Sequence, residues 1–575
     1  MSSDIRITQM SFARKAQTVS EHRFNDLYYL VCKEDWLAEA LRRVLSNDGA
    51  RTAGVDGMTK DDLKSEKTRR EFILELRKEL KEKTYRPSPV RRVYIPKPGK
   101  KEKRPLGIPT IKDRVVQEVL RMLMEPIWES DALPVSHGFR PGHRTMDCVA
   151  PLWRYINPQV KFWWVIEGDI SGCFDCVNHK ILMRLIRRRI KDRHVLKLVQ
   201  MLLKAGVMEN GVVHTSEEGT PQGGIFSPML ANIYLHEFDR FWHQRWGTLS
   251  EGQRKYQRGK GRRGGTGEGT VLLLRYADDF ILLTNGSKQY AYHVREVVQD
   301  FLWEELHLKL NMDKTKVTHA KDGFDFLGFH IQWMEPSNSK GWLRITPSQK
   351  NIERFKMAIR DMTASNRGND LPLEKILAIN RLLRGWIYYY RYVNVKGVAQ
   401  KLDFWVNQRF VRWAKRRHNK GIRWVLGRYK ARQKENGYGR NNLRVMNDRG
   451  EPVWLFKMAD VPLRRYGFRR PRPNPYLAIE QEMPEWDVDV PVKDGWWSGT
   501  LPPEDTKERQ LRHRVTAEAK YRCQRCERSL QGGEIKTIHM HHRVRRRKGG
   551  QHCRNNVKVL CPECHLEAHK GNWQS

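Results

Sequence analysis

Apolar positions recur along this chain in two rhythms. Over 68–83 (TRREFILELRKELKEK), Phe72, Leu74, Leu76 and Leu80 stand among charges, as on an amphipathic helix. Residues 350–420 read as helical, with Ile376, Ile379, Leu383, Ile387 and Tyr390 at helical spacing in a stripe most simply assigned to core. By contrast, 162–166 and 271–275 are short, apolar and partly β-branched, and each runs straight into carboxylates. Such runs, alternating with helical patterns from about 160 to 330, predict a mixed α/β domain. Residues 1–85 read as mixed helix with a polar interruption near 47–57. Pro87, Pro89, Pro96, Pro98, Pro105 and Pro109 then exclude helix and predict extended strands, or a hairpin with a basic tip at 99–103.

Composition narrows the class. A chain of 575 residues is too long for one core, and 39% hydrophobic content supports packed domains, three or more by length. Lys and Arg number 107 against 66 Asp and Glu, a net charge of +41. Charge of that size opposes compaction unless a polyanion shares the load, and a nucleic acid is the natural one. No run of about 18 apolar residues predicts a membrane span. The start, MSSDIRITQMSFARK, lacks the apolar stretch of a secretion signal, so the expected location is cytoplasmic, in bacterial cytosol or nucleoid. Nine cysteines, an odd number, argue against a disulfide framework, and five of them crowd between Cys523 and Cys564.

The charge is unevenly placed. Residues 401–470 hold 20 Lys or Arg against 5 Asp or Glu, interleaved with eleven aromatics that include Trp405, Trp413, Trp424, Tyr429 and Trp454. Cations mixed with aromatics suit phosphate contact plus base stacking. Residues 482–505 reverse the sign, with seven acidic residues and one Lys, as a linker would. Residues 251–270 carry seven Gly and six Lys or Arg, and read as a loop or insertion. The spelling Gly259-x-Gly261-x-x-Gly264 inside it follows no apolar strand, and is a coincidence of composition rather than a dinucleotide site.

Leu-Leu-Leu-Arg-Tyr-Ala-Asp-Asp-Phe-Ile-Leu-Leu-Thr over 272–284 sets Asp278 and Asp279 between two apolar runs, the pattern of a β-hairpin with carboxylates at its turn. Asp169 ends another apolar run (FWWVIEGD) and can supply a third oxygen donor. Adjacent buried anions need cations, and an oxygen-rich set selects Mg²⁺ or Mn²⁺ over Zn²⁺. Two such ions, about 4 Å apart, activate a 3′-hydroxyl and stabilise a leaving pyrophosphate.

Further blocks surround these carboxylates: Arg-Arg-Val-Tyr-Ile-Pro-Lys-Pro-Gly-Lys over 91–100, Arg-Pro-Leu-Gly-Ile-Pro-Thr over 104–110, and His-Gly-Phe-Arg-Pro-Gly-His-Arg over 137–144. Gly-Asp-Ile-Ser-Gly-Cys-Phe-Asp over 168–175, Gly-Thr-Pro-Gln-Gly-Gly-Ile-Phe-Ser-Pro over 219–228, Leu-Asn-Met-Asp-Lys-Thr over 310–315 and Phe-Leu-Gly-Phe over 326–329 follow. In this order they resemble the reverse transcriptase blocks of group II intron-encoded proteins, over roughly residues 20–420. The resemblance implies that Asp169, Asp278 and Asp279 are the metal-binding triad, and that Phe174 is the aromatic gate that clashes with a ribose 2′-hydroxyl. It implies that Lys97 and Arg104 face the incoming triphosphate, Gln222 lies beneath the nascent pair, and Lys314 stands near primer or triphosphate. Cys176 departs from the family, which often has a polar residue there; Cys173 and Cys176 read as small packing residues. Leu-Leu-Arg-Gly-Trp-Ile-Tyr-Tyr-Tyr over 382–390 resembles the thumb and maturase region, which implies binding of the intron's own RNA.

At the other end, Cys523-x-x-Cys526 and Cys561-x-x-Cys564 form two knuckles 34 residues apart, and four thiolates suit one tetrahedral structural Zn²⁺. A metal staple replaces the core that about 60 residues cannot build. The order His541, His542, Asn556, His565, His569 resembles the HNH endonuclease finger. That resemblance implies His541, His565 and His569 as ligands of a divalent metal of unknown identity, His542 as general base and Asn556 as its orienting residue. Arg543, Arg545, Arg546, Arg547 and Lys548 would grip DNA phosphates; a binding-only zinc finger is the alternative.

The expected fold is therefore multidomain α+β. A right-hand polymerase (fingers and palm) precedes an α-helical thumb/maturase domain, a basic DNA-binding segment and a small zinc-stapled ββα-metal HNH domain. The expected boundaries are 1–85 for the N-terminal extension and start of fingers, 86–345 for fingers and palm, and 346–420 for thumb and maturase. A basic segment at 421–481, an acidic linker at 482–508 and the HNH unit at 509–575 complete the chain. Expected partners are intron RNA, target DNA and deoxynucleoside triphosphates, with no membrane, and a homodimer is compatible with this organisation. Two competing readings are a splicing cofactor whose enzyme sites are inactive, and a retron-like polymerase. The second leaves the terminal nuclease unit and the +15 segment at 401–470 without a role.

Overall fold

The computed structural model describes residues 3–96, 103–209, 212–214, 219, 223–248, 267–336, 341–364, 370–435, 438–466, 474–477, 490–491, 519, 522–527, 539–542, 557–560 and 564. The chain divides into two compact units, Met1–Lys493 and Asp494–Ser575.

The first unit opens with helices α1 (Ser3–Thr18), α2 (Glu34–Ser46) and α3 (Glu66–Glu82). Ser65 caps α3 by accepting the Thr68 N–H at 3.1 Å, and Phe72, Ile73, Leu76 and Leu80 form its buried face. Leu74, expected on that face, is 42% exposed. It lies two positions from Phe72 and Leu76, about 200° around a helix, so helical geometry sends it outward.

The proline-rich segment forms strands β1 (Val90–Pro96) and β2 (Lys103–Ile108), paired antiparallel as a hairpin. The basic tip between them lies outside the described residues. Helix α4 (Ile111–Asp131) follows, capped by Thr110, and is buried along most of its length. The apolar runs ahead of the carboxylates are strands β3 (Trp164–Gly168) and β6 (Val271–Tyr276), and the run after them is β7 (Asp279–Thr284). With β8 (Lys316–His319) they form a four-stranded sheet ordered β6-β7-β3-β8. Val165, Leu273, Leu274, Leu282 and Leu283 are all fully buried, as expected of strands covered on both faces. Helices α8 (Ser227–Trp242) and α9 (Lys288–Leu306) cover one face, where Phe238 meets Phe280 edge-on at 5.0 Å. Between these elements lie α5 (Thr145–Val149), α6 (His179–Arg187), α7 (Arg193–Leu203) and the short strands β4 (Val207–Glu209) and β5 (Val212–His214). The latter extend the hairpin sheet in the order β2-β1-β4-β5.

A three-stranded sheet, β9 (Phe324–Phe326), β10 (Phe329–Met334) and β11 (Trp342–Pro347), alternates buried positions with half-buried or, at Asp325, exposed ones. It leads into helices α10 (Gln349–Met362), α11 (Pro372–Tyr390), α12 (Lys396–His418) and α13 (Ile422–Tyr429). The stripe Ile376, Ile379, Leu383, Ile387 and Tyr390 is buried. Of the aromatics expected to offer stacking surfaces, Trp413 and Tyr429 are 0% and 3% exposed, so they belong to the core of this helical region; Trp424 is 41% exposed. Composition reports how many aromatics a segment holds but not which way each faces. No helix among the described residues is long and apolar enough to cross a membrane.

In the second unit, antiparallel strands 539–542 and 557–560 pair His542 with Val557. The turn at 523–526 docks on the second strand, with Gln524 N–H donating to Val559 O at 2.9 Å.

Candidate active site

The β6–β7 hairpin closes through a two-residue turn, Ala277 and Asp278, with Tyr276 opposite Asp279. Ala277 has φ +59°, a conformation that glycine usually supplies at the first position of such turns. In a regular strand, adjacent side chains point to opposite faces. The turn breaks that alternation and lets neighbouring carboxylates share one environment. Strand β3 runs antiparallel to β7, with Gly168 opposite Phe280, so Asp169 emerges beside the turn.

The electrostatics show that proximity. Desolvation, then the charges of Asp278 and Asp169, push the Asp279 carboxyl up to about 6, although its side chain reaches solvent. Asp278 is likewise raised by desolvation and by Asp169, and lowered by Arg104 and Arg275. Lys314 Nζ donates to Asp169 Oδ2 at 2.7 Å. The donor atoms of Asp169, Asp278 and Asp279 do not all lie within 4.8 Å of one another, and the Asp169 carboxylate is engaged by this ammonium. All the donors are hard oxygens, the set that suits Mg²⁺ or Mn²⁺.

Residues without assigned roles in the sequence brace this turn. Arg275, only 1% exposed, donates to both Asp239 oxygens, to Ser136 Oγ at 2.6 Å and to Ala277 O at 2.8 Å. The motif at 137–144 lies against it: Ser136 bridges to Arg275, and His137 N–H donates to Arg275 O at 2.9 Å. A Cβ on Gly138 would stand 2.1 Å from Ala277 N, so only glycine permits this approach. Phe139 meets Phe174 edge-on, with ring centroids 6.2 Å apart. His137, His143 and Asp147 gather within 4.8 Å, a donor set that looks metal-like. However, Asp147 already accepts from Arg144 N–H and Tyr466 O–H, at 2.7 and 2.8 Å, and the two imidazoles bond each other at 2.9 Å. They form a hydrogen-bonded node behind β6. The motif carried a signal in its wording, but its contacts are long-range and could not be read from spacing.

Of the expected triphosphate contacts, Arg104 lies on β2 opposite Ile95 and its charge reaches Asp278. Lys97 and Gln222 lie outside the described residues. The loop that holds Gln222 is anchored on both sides: Gly219 N–H donates to Val177 O at 2.9 Å, and a Cβ on Gly223 would stand 2.6 Å from Gly107 O on β2.

In the second unit, the thiols of Cys523, Cys526 and Cys564 lie within 4.8 Å of one another. Three of the four expected ligands are thus together. Cys561, Asn556, His565, His569 and the basic run 543–548 lie outside the described residues. For His541 and His542 the structure describes the strand backbone.

Comparison with known proteins agrees with this arrangement. Residues 95–331 match the family of reverse transcriptases (RNA-dependent DNA polymerases), 352–430 the group II intron maturase-specific domain, and 523–571 the HNH endonucleases. Protein YkfC of Escherichia coli (strain K12) is 42% identical over 336 residues, covering 56% of this chain and 87% of that protein. The group II intron-encoded protein LtrA of Lactococcus lactis subsp. cremoris is 35% identical over 442 residues, covering 66% of this chain and 72% of that protein. The fold is a mixed α/β multidomain one, with a reverse transcriptase domain and an HNH domain. The chain belongs to the group II intron-encoded proteins, and combines reverse transcriptase, maturase and HNH endonuclease functions.

Proposed function

We propose that these activities serve one sequence of events: the HNH unit nicks a strand of target DNA, and the polymerase copies the bound intron RNA from the exposed 3′-end. The observation that carries the polymerase assignment is the placement of Asp169 at the end of β3 beside the adjacent pair at the β6–β7 turn, where the charge of Asp169 raises both Asp278 and Asp279 and that of Asp278 raises Asp279 further.

In this reading β1–β2 and the sheet around β3 are the fingers and palm of a right-hand polymerase over 86–345, and the helices over 346–420 are its thumb. Asp169, Asp278 and Asp279 hold two divalent ions, Mg²⁺ or Mn²⁺. When bound, these ions neutralise the phosphates and activate the attacking 3′-hydroxyl. The chain's own contribution is placement, the larger part of catalysis in phosphoryl transfer. Arg104 brings positive charge from the fingers toward Asp278. Lys97 joins it at the triphosphate, Lys314 stands beside Asp169, Gln222 lies under the nascent pair, and Phe174 excludes a 2′-hydroxyl.

The basic segment 421–481 contacts DNA, and the acidic linker 482–508 leads to the HNH unit at 509–575. There His541, His565 and His569 hold a divalent metal, His542 draws a proton from water, and Asn556 orients it. Zinc held by Cys523, Cys526, Cys561 and Cys564 staples the unit, and the gathering of three of these thiols supports that. The basic run 543–548 adds grip on DNA phosphates. Partners are intron RNA, target DNA and deoxynucleoside triphosphates, in the cytosol where these meet. A homodimer is compatible with this scheme.

Primer extension on an RNA template tests the reading. The parent protein should extend the primer and the double variant Asp278→Ala/Asp279→Ala should not. Absence of template-dependent synthesis by the parent would reject it.

A further inference from the structure

Phe139 is at odds with ordinary packing in two ways. It is a bulky aromatic with φ +59°, where residues other than glycine, asparagine and aspartate rarely sit, and its side chain is 50% exposed. Strain of this kind persists only where the surroundings over-determine it. They do so on both sides. Gly138 is pressed on the Ala277 backbone, and its carbonyl accepts from Asn232 Nδ2 at 2.8 Å. Arg140 is held by Glu129, by Ser136 O at 2.6 Å and by Leu133 O at 3.0 Å. The ring between these two anchors is directed to Phe174, meeting it at 76° between planes. Burial of its own surface does not explain such a placement, since half of it stays in solvent.

We propose that Phe139 is a positioning residue for sugar selection: it holds the Phe174 ring edge-on, so that the wall facing the nucleotide ribose is fixed to the same loop that braces the catalytic turn. The proposal rests on the reading of Phe174 as the residue that excludes a 2′-hydroxyl. A gate free to rotate rejects ribose poorly, because the clash can be relieved by moving the ring. An edge-to-face partner resists that motion, and such pairs are worth enough to change selectivity roughly two- to tenfold. Coupling to Gly138 and Ala277 also keeps the wall in register with Asp278.

The test measures kcat/KM for a deoxynucleotide and the matching ribonucleotide on one primer–template, with the full-length protein. The ratio of the two does not depend on how much of a sample is folded. Phe139→Gly removes the ring while suiting the positive φ, Phe139→Ala removes it without that relief, and Phe139→Tyr keeps the edge contact. Phe174→Ala should relax discrimination. Phe139→Gly and Phe139→Ala should each relax it roughly two- to tenfold, Phe139→Tyr should restore it, and the double variant Phe139→Gly/Phe174→Ala should be no more permissive than Phe174→Ala. If Phe174→Ala relaxes selection and neither Phe139 removal does, the proposal fails while the gate stands. Additive effects in the double variant would also overturn it, since Phe139 would then act independently. If Phe174→Ala leaves selection unchanged, the gate reading fails and takes this proposal with it.

Discussion

Arg275 and Asp239 are both buried to within 1% of full coverage and meet through two parallel hydrogen bonds, Nε to Oδ1 at 2.7 Å and Nη2 to Oδ2 at 2.5 Å. The pair is bidentate, the strongest geometry open to a guanidinium and a carboxylate. Its remaining donors go to Ser136, Asn232 and Ala277 O. One buried cation therefore ties α8, the 136–142 loop and the β6–β7 turn into one piece.

Removing one partner should cost more than the pair contributes. Asp239→Ala leaves Arg275 charged and uncompensated in the core, which is expected to destabilise the first unit by about 3–5 kcal/mol. Thermal unfolding with a tertiary-structure probe checks this, and a shift no larger than that of a surface Asp→Ala control would contradict it.

Asp192 joins sequence-distant parts of the first unit. Its Oδ2 accepts from Leu27 and Tyr28 N–H at 2.7 and 2.8 Å, while Oδ1 caps α7 through His194 and Val195 N–H at 2.9 and 3.1 Å. Burial raises the carboxyl, but these four donors prevail and hold it below its ordinary range. A depressed folded value means that the stabilisation is complete above the unfolded value, near 4 for Asp, and is lost as pH falls through the folded one. Asp192→Ala should loosen the 25–33 segment at neutral pH, read as faster amide exchange there, and should flatten the acid limb of the stability profile. Unchanged exchange would remove Asp192 as the tie.

The two chemistries should separate by mutation. His542→Ala is expected to abolish DNA nicking and leave extension of an annealed primer intact. Loss of both in one folded variant would mean that the base assignment or the division of labour is wrong.

Metal analysis addresses the cysteines. The thiol cluster predicts one tightly held zinc per chain, released when Cys523 or Cys564 is changed to Ser. Cys561→Ser should behave the same if it is the fourth ligand. Since metal binding in so small a unit is also folding energy, chelation should collapse the 494–575 unit and leave primer extension recoverable on adding Mg²⁺ back. Full zinc retention by Cys561→Ser would exclude it.

The sequence disclosed what local pattern determines. The β6–β7 hairpin, β3 ahead of Asp169 and the α11 stripe each follow from a few adjacent residues, and all appear where expected. Orientation and long-range pairing were not legible. Trp413 and Trp424 look alike in composition, yet one is core and the other surface. Arg275 precedes Tyr-Ala-Asp-Asp in plain sight, but its partner Asp239 is 36 residues away on a helix. Phe139 and Phe174 meet only because β3 and the 136–142 loop both border the turn. Such relationships belong to topology, and periodicity has no access to it.

The left-handed φ at Ala277 also bears on how this protein can evolve. Tyr-Ala-Asp-Asp is usually regarded as two carboxylates with neighbours, but its second letter is a statement about backbone. A β-branched or bulky residue there would add side-chain conflict to a conformation already disfavoured. Position 277 should therefore tolerate little beyond glycine, alanine and small polar residues, even though its side chain takes no part in chemistry. Deep mutational scanning would then register it as nearly as constrained as the aspartates, for reasons of geometry and not of reactivity.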